Sequence, residues 1–355
     1  MKSLKEYSMN LSEADYHAYP AWSHSLITRY IREGFASMAT IHEPSKPTPA
    51  MEFGSLFDSI LTRGKDTLKE YVVDTTGVNC PPAEKEVFDK LIELGFGEYS
   101  YENLAGMHMG SLVEVMNSCE SFCSKYKKED TKFANLAKNQ EYYELHRSGK
   151  KVVSKADWDD AVEMARRFRS SEFLNKIFGI KNANGIEYIY QAQFVVELPM
   201  DNGKTVKYKI MPDLLIVNHN DKTIRPVDLK TSAMPAFDFK ENFLKYRYDI
   251  QAASYTDVLQ IIIMKDDVYK DYTILPFYFT DISRVDMQPV TYWYDPHDST
   301  QIDGFSYRNG EKEYKHRTWT TLLGEMVEYD EEHAVVPNGI KLDEANDLMA
   351  LINRA

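Results

Sequence analysis

The sequence predicts an α/β (α+β) fold in which a mixed β-sheet is flanked by helices. Residues 185–230 alternate apolar and polar side chains with a period of two, as strands with one buried face do. Residues 84–145 instead carry helical periodicity and little strand signal. Hydrophobic residues make up 43% of the 355-residue chain, which is enough for a sizeable core. Strands and helices are therefore expected in separate stretches of the chain.

The order of these patterns suggests where the chain divides. Residues 1–50 are predicted to form an N-terminal helical arm and connector, because short helices within 11–41 lead into the proline-rich run 43–49. Residues 51–355 are predicted to form the main domain, with a helical insertion at about 84–150.

Further strands are predicted on both sides of the central polar segment. Residues 201–203 mark a hairpin turn, and in the strand that follows, apolar positions alternate with polar ones at Lys207 and Lys209. Residues 272–279 and 289–294 are two more predicted strands, and a closing helix is predicted around 342–353.

The most informative segment is residues 211–231, where two apolar runs flank a polar turn in the pattern of a β-hairpin. Asp228 and Lys230 lie two residues apart, so their side chains share one face of the strand. If the turn centres on residues 220–221, Asp213 falls directly opposite Asp228. This register gathers two carboxylates and a lysine in one place.

Opposed carboxylates need a positive charge between them. Directly opposed residues have Cβ atoms about 5 Å apart, and like charges at that distance destabilise a sheet. Mg²⁺ would relieve the repulsion between Asp213 and Asp228, since it takes one or two carboxylates and keeps other positions for water and phosphate. Lys230 could then orient the attacking water or offset charge on the phosphate. The alternative is a solvated hairpin with surface charges.

The segment that follows the hairpin carries a polar stripe. On a helix over residues 239–255, Tyr248, Gln251 and Tyr255 are spaced i, i+3 and i+7, so they lie on one face. A core stripe would have this spacing too, but core stripes rarely contain a glutamine.

These residues resemble the signature of the PD-(D/E)xK nucleases, and the segment 239–255 resembles the helix after it in RecB-type and RecE-type enzymes. Residues 11–26, 51–61 and 152–167 are similar to other segments of the RecE (exonuclease eight) group, in the expected order. The similarity spans roughly residues 10–260.

The resemblance implies a restriction-endonuclease-like core and a phage-derived exonuclease that uses Mg²⁺ (or Mn²⁺) on linear double-stranded DNA during recombination. It implies that Asp213 and Asp228 bind the metal with the carbonyl of Leu229, and that the helix stripe lies along the active-site cleft. Relatives feed a single-strand annealing protein, often as homo-oligomeric rings.

Two positions depart from the family pattern. Asp58 stands where the family usually has a metal-facing histidine, and Gln193 is the nearest match to an acid on the preceding strand. Aspartate is a hard oxygen ligand that suits Mg²⁺ or Mn²⁺. Alternatively, Asp58 faces solvent or a basic neighbour, and Glu187 or Glu197 is the true acid.

Three functional hypotheses follow from these residues. The first is an active exonuclease with Asp58 as a third metal ligand and Gln193 beside the cleft. The second is a catalytically weak nuclease fold retained for binding DNA or protein, and the third is a single-cut endonuclease.

Composition restricts the partners and the cellular location that can be expected. The net charge of −13 is unusual for a protein that binds DNA, although a metal site itself gathers carboxylates and the DNA contact can be local. The three cysteines form no Cys-x-x-Cys pair, and their odd number argues against a disulfide framework, so a reducing cytoplasm is expected. No stretch approaches the roughly 20 apolar residues of a membrane span, so no membrane association is expected.

Overall fold

The computed structural model describes residues 3–43, 47–177, 184–201, 203–298 and 305–333. Helices and strands both occur in the described chain, which confirms the predicted mixed α/β class. The closing helix predicted around 342–353 lies outside the described residues.

In the sequence, the helices of the described residues lie before, within and after the strand-rich region. They are α1 (Glu13–Ala18), α2 (His24–Glu33), α3 (Pro49–Arg63), α4 (Pro82–Glu93), α5 (Tyr101–Met107), α6 (Met109–Ser118), α7 (Glu120–Lys125), α8 (Glu129–Lys138), α9 (Gln140–His146), α10 (Lys155–Ser170), α11 (Glu172–Ile177), α12 (Phe239–Tyr246), α13 (Tyr248–Met264) and α14 (Trp319–His333). Short 3₁₀ helices cover Leu4–Tyr7, Gly34–Thr40, Gly64–Lys69, Phe96–Glu98 and Ala236–Asp238.

The strands of the described residues fall mostly between residues 186 and 294. They are β1 (Tyr71–Asp74), β2 (Lys151–Ser154), β3 (Ile186–Tyr190), β4 (Phe194–Pro199), β5 (Thr205–Ile210), β6 (Leu214–Asn218), β7 (Thr223–Ser232), β8 (Thr273–Ile274), β9 (Phe277–Ser283), β10 (Pro289–Tyr294), β11 (Ser306–Asn309) and β12 (Lys312–Lys315). Strand β10 confirms the strand predicted over 289–294, whereas the single strand predicted over 272–279 is divided into β8 and the first part of β9.

The main sheet is mixed and has strand order β10-β9-β7-β6-β3, with β8 beside the start of β7. Strand β7 runs parallel to β8 and β9, and the other neighbours are antiparallel. Helices α12 and α13 connect β7 to β9, as expected of a parallel crossover. Strand β7 therefore has a partner on each side, and its middle is buried.

The predicted hairpin register is confirmed. Leu214 pairs with Val227 and Asn218 pairs with Thr223, so the turn centres on residues 220–221. The pairing ends at Leu214, one residue after Asp213. Asp213 therefore stands at the mouth of the hairpin, in line with Asp228 but outside the regular strand.

Strands β4 and β5 form a hairpin as predicted, but they make a two-stranded sheet of their own rather than extending the main sheet. Gln191, between β3 and β4, has a φ of 48°. A non-glycine residue in this left-handed region breaks the extended path of a strand. The chain therefore leaves the main sheet at Gln191 before it begins β4.

The predicted helix over residues 239–255 is likewise divided in two. Arg247 lies between α12 and α13 with a φ of 55°, and its guanidinium donates to both carboxylate oxygens of Asp249, at 2.8 and 2.9 Å. This bidentate ion pair is buried and charge-assisted, so it fixes the break in the helix.

The chain forms two compact units. Residues 1–50 and 167–355 belong to one, and residues 51–166 to the other. Helix α13 packs on the main sheet of the first unit, where Tyr255 and Val258 share a buried core with Phe277 and Phe279.

The second unit has an apolar core of its own. The helical periodicity predicted over residues 84–145 is confirmed by helices α4 to α9. Val87, Phe88, Leu104 and Phe122 are fully buried in its core. Among the described residues, no helix is both long and apolar enough to cross a membrane.

Candidate active site

The candidate site begins with a carboxylate and a lysine on one face of β7. Asp228 is 3% exposed, and its Oδ2 lies 2.6 Å from Nζ of Lys230. Strand alternation puts both side chains on the same face, as the sequence predicted. A buried carboxylate requires such a counter-charge, because an isolated charge in a low-dielectric interior is very costly.

Asp213 joins this pair from the neighbouring strand end. Its Oδ2 accepts a hydrogen bond from the backbone N–H of Leu229 at 2.6 Å. The bond holds the Asp213 side chain across the mouth of the hairpin, next to the peptide between Asp228 and Lys230. The three residues of the predicted signature are thus brought together around one peptide group.

Helix α13 supplies two further contacts. Nε2 of Gln251 donates to Oδ1 of Asp228 at 2.5 Å, and Nζ of Lys230 lies 4.6 Å from the ring centroid of Tyr248. Tyr248 stacks on Phe279 of the sheet. Gln251 is 2% exposed and is thus buried against Asp228, and its place along a DNA-binding cleft stays a prediction.

The charge state of the lysine follows from its neighbours. Burial opposes the charge on Lys230, but the carboxylates of Asp228 and Asp213 raise its pKa above the usual value. Lys230 is therefore cationic at neutral pH. Burial raises the pKa of Tyr248 to about 12, so its hydroxyl stays protonated.

Tyr255, the third member of the stripe, is buried and contacts a residue that the sequence did not single out. Its hydroxyl lies 3.3 Å from Nδ1 of His24, and the two rings meet edge to face with centroids 5.4 Å apart. Burial and the charge of Lys230 lower the pKa of His24 to about 3, so His24 is neutral at neutral pH. The only sequence signal for it was its position in segment 11–26.

A second residue that sequence reasoning missed is Asp281 on β9. It pairs in register with Lys230 across the parallel strands, so the two side chains share a face. Asp281 is fully buried, and its Oδ2 accepts from Oγ of Ser232 at 3.1 Å. Burial raises the pKa of Asp281 to about 7. An acid inside the apolar run Phe277–Ser283 was its only sequence signal.

Gln193 does not approach Asp228 through any described contact. Its Oε1 accepts from the backbone N–H of Leu11 at 2.8 Å, and its Nε2 donates to the carbonyl of Leu11 at 2.9 Å. The Gln193 amide therefore fastens the N-terminal segment to the start of β4 within the first unit. The residue beside Asp213 is Gln191, whose N–H donates to the Asp213 carbonyl at 3.0 Å.

The two glutamates considered as alternatives to Gln193 also contact residues other than Asp213 and Asp228. Glu187 on β3 accepts from the hydroxyl of Ser3 and lies 3.5 Å from His219. Glu197 lies on β4, in the separate two-stranded sheet, opposite Lys207. Neither acid has a described contact with Asp213 or Asp228.

Asp58 lies on α3 and is half-buried within the second unit. The backbone carbonyl of Asp58 accepts from Oγ1 of Thr62 at 2.8 Å. Its role as a third ligand stays a prediction.

Asp213 and Asp228 are the residues of the first unit that could hold a hard divalent cation. Within the described residues, no group of three or more His, Cys, Asp or Glu side chains is arranged to hold a metal ion. Asp213 and Asp228 nevertheless both act on Lys230, whose ammonium provides the positive charge beside them. Two carboxylates around one positive charge match the protein ligands that Mg²⁺ uses when water and phosphate fill its other positions.

No protein-family model matches the chain, and no curated protein matches its sequence. The nuclease resemblance therefore depends on the motif residues and their geometry alone.

Proposed function

We propose that this protein is a metal-dependent deoxyribonuclease of the PD-(D/E)xK type that degrades linear double-stranded DNA as an exonuclease. One observation carries the proposal: Asp213, Asp228, Lys230 and Gln251 converge on one partly buried face of the main sheet, with Asp228 and Gln251 fully enclosed. An ordinary surface hairpin would leave these charges solvated and would not bury a glutamine against the carboxylate. The arrangement therefore favours a site over a solvated hairpin.

Each residue has a distinct chemical task in this proposal. Asp213 and Asp228 would hold Mg²⁺ or Mn²⁺, with the Leu229 carbonyl as a further ligand. The bound metal lowers the pKa of water and offsets charge on the scissile phosphate. Lys230 is a compact cation that orients the attacking water or stabilises the developing phosphate charge.

The surrounding residues keep these groups in place. Gln251 donates to Oδ1 of Asp228 and so fixes the rotation of the carboxylate. The ring of Tyr248 covers one side of Lys230, which limits the positions open to the ammonium. Tyr255 and His24 pack behind them as a neutral pair. Such support holds reacting groups within the narrow tolerance that catalysis needs.

The cellular setting remains part of the proposal. DNA would contact a small part of the surface, since the whole chain carries a net charge of −13. A single-strand annealing protein as partner, a homo-oligomeric ring and a cytoplasmic location are further expectations from the resemblance.

End-labelled linear duplex and closed circular duplex, each incubated with Mg²⁺, separate the three hypotheses. Loss of the linear form alone identifies an exonuclease, and nicking of the circle identifies an endonuclease. If both substrates survive at high enzyme concentration, the proposal fails and a binding module is favoured. Asp228→Asn is the matched control, because it retains the shape of the side chain and removes the charge that binds the metal.

A further inference from the structure

The ion pair of Lys230 competes with the proposed metal. Oδ1 of Asp228 accepts from Gln251, and Oδ2 lies 2.6 Å from the Lys230 ammonium. A divalent cation on Asp228 would therefore meet a positive charge already in place. Two positive charges a few Å apart in a partly buried site repel strongly. For the metal to bind well, the ammonium must have another place to go.

Asp281 offers that place. It is fully buried, and within the described residues its Oδ1 has no hydrogen-bond partner. A buried carboxylate oxygen without a partner costs stability, so its retention calls for an explanation. Its only described side-chain partner is the hydroxyl of Ser232, which donates to Oδ2 and supplies no charge.

The sheet places Asp281 within reach of the lysine. Lys230 and Asp281 are register partners in the parallel pair of β7 and β9. Neighbouring strands are about 4.8 Å apart and partner side chains share a face, so the flexible four-carbon stem of a lysine spans the gap. The charge of Lys230 also lowers the pKa of Asp281, against the larger effect of burial.

We propose that Asp281 is a positioning residue that receives the Lys230 ammonium when a divalent cation occupies Asp213 and Asp228. Lys230 then has two positions, one on Asp228 without metal and one on Asp281 with metal. The move removes the repulsion at Asp228 and completes a buried ion pair at Asp281. This inference rests on the proposed metal site. It adds how the Lys230 ammonium leaves Asp228 when the metal binds there.

A double-mutant cycle on metal affinity tests the exchange without any DNA. Mn²⁺ binding is measured by electron paramagnetic resonance for the wild-type protein, Asp281→Asn, Lys230→Gln and the double variant. We expect Asp281→Asn to weaken Mn²⁺ binding about tenfold, within the usual range of coupling between sites. In the Lys230→Gln background, the same substitution should change affinity less than about twofold, because no ammonium needs to move.

Three controls keep the result interpretable. Asp286→Asn removes a carboxylate that also influences Asp281 but is not in register with Lys230, and it should leave Mn²⁺ affinity unchanged. Far-ultraviolet circular dichroism and thermal unfolding check folding, and Asp281→Ser replaces Asp281→Asn if the latter misfolds. Asp228→Asn shows whether the ion binds at the proposed site.

Equal effects of Asp281→Asn in both backgrounds, or no effect in either, would overturn the inference while leaving the nuclease proposal intact. If Mn²⁺ binding does not depend on Asp228, the metal site and this inference fail together. A crystal structure with Mn²⁺ gives a direct check. Nζ of Lys230 should lie within about 3.2 Å of Asp281, and a Lys230 that still contacts Asp228 contradicts the exchange.

Discussion

Two lysines of the first unit, Lys209 (buried) and Lys230 (half-buried), have opposite surroundings. Lys209 on β5 is 6% exposed and donates to three backbone carbonyls, those of Tyr16, His17 and Tyr19, at 2.7, 2.9 and 2.8 Å. All three donors of its ammonium are thereby used. Both ammonium groups lie over a tyrosine ring, but Lys230 on β7 contacts a carboxylate in place of the carbonyls.

The difference lies in the partners rather than in burial. Burial lowers the pKa of Lys209, whereas nearby carboxylates raise the pKa of Lys230 against the effect of burial. Lys209 connects the end of α1 to strand β5. Its partners are backbone carbonyls, which bind no metal in this proposal, so its contacts are not replaced. The partner of Lys230 is itself a candidate metal ligand, so its contact can be replaced. A buried charge marks a functional site only when its partner can also change state.

The largest expected effect is on catalysis, and it falls on one lysine only. Lys230→Ala should lower single-turnover cleavage at saturating Mg²⁺ by about 10²–10³-fold, the usual loss when one stabilising donor is removed. Lys209→Met, assayed at a temperature where it remains folded, should cleave at close to the wild-type rate. Comparable losses in both folded variants would break the distinction between the two lysines.

Mg²⁺ should change the free energy of unfolding of the two lysine variants by different amounts. Lys209→Met leaves three carbonyls without their donor and should lower the free energy of unfolding by about 3 kcal/mol. Lys230→Met should also destabilise, because it leaves Asp228 without its counter-charge. Urea denaturation with and without Mg²⁺ measures both variants. Mg²⁺ should restore most of the loss in Lys230→Met and none in Lys209→Met, and equal responses would contradict the assignment.

The pH dependence of stability reports on Asp281. Its pKa is about 7 in the folded protein and near 4 when unfolded, so the folded state binds more protons between these values. Its contribution is therefore complete below about pH 4 and is lost as the pH rises to about 7. In EDTA, Asp281→Asn should remove about 4 kcal/mol of this decline, measured by urea denaturation from pH 4 to 8. An unchanged slope would mean that Asp281 is ionised throughout.

The smallest expected effect tests the support of the site. Gln251→Met keeps the volume of the side chain but loses the hydrogen bond to Asp228, so turnover should fall about tenfold, or about 1.4 kcal/mol. Thr256→Val on the same helix is the matched control, since Thr256 is also buried and its Oγ1 has no described hydrogen-bond partner. Equal losses in the two variants would point to helix packing instead of carboxylate orientation.

The sequence predicted the local half of this site. The register that aligns Asp213 with Asp228 depends on one turn and two short strands, and hydrophobic alternation with turn residues is enough to specify such a hairpin. The face shared by Tyr248 and Gln251 follows from helical spacing in the same way.

The site contacts between residues far apart in the sequence could not be predicted from periodic patterns. Asp281 reaches Lys230 through a parallel pairing across two helices, and His24 comes from the N-terminal residues. Lys209 was expected on a polar strand face, but residues 16–19 cover that face and bury it. A period of two identifies which side chains share a face, but it does not identify which segment covers that face.

The central position of β7 has a consequence for synthesis of the chain. The β6–β7 hairpin is local and can form within microseconds of leaving the ribosome, whereas β9 pairs with β7 only after two more helices have been made. During that interval Asp213 and Asp228 are opposed while Lys230 still lacks its sheet neighbour and Tyr248 lacks Phe279 beneath it. A nascent chain shorter than about 283 residues should therefore hold the motif without the complete pairing of β7 and β9, so the proposed nuclease activity is expected only late in translation.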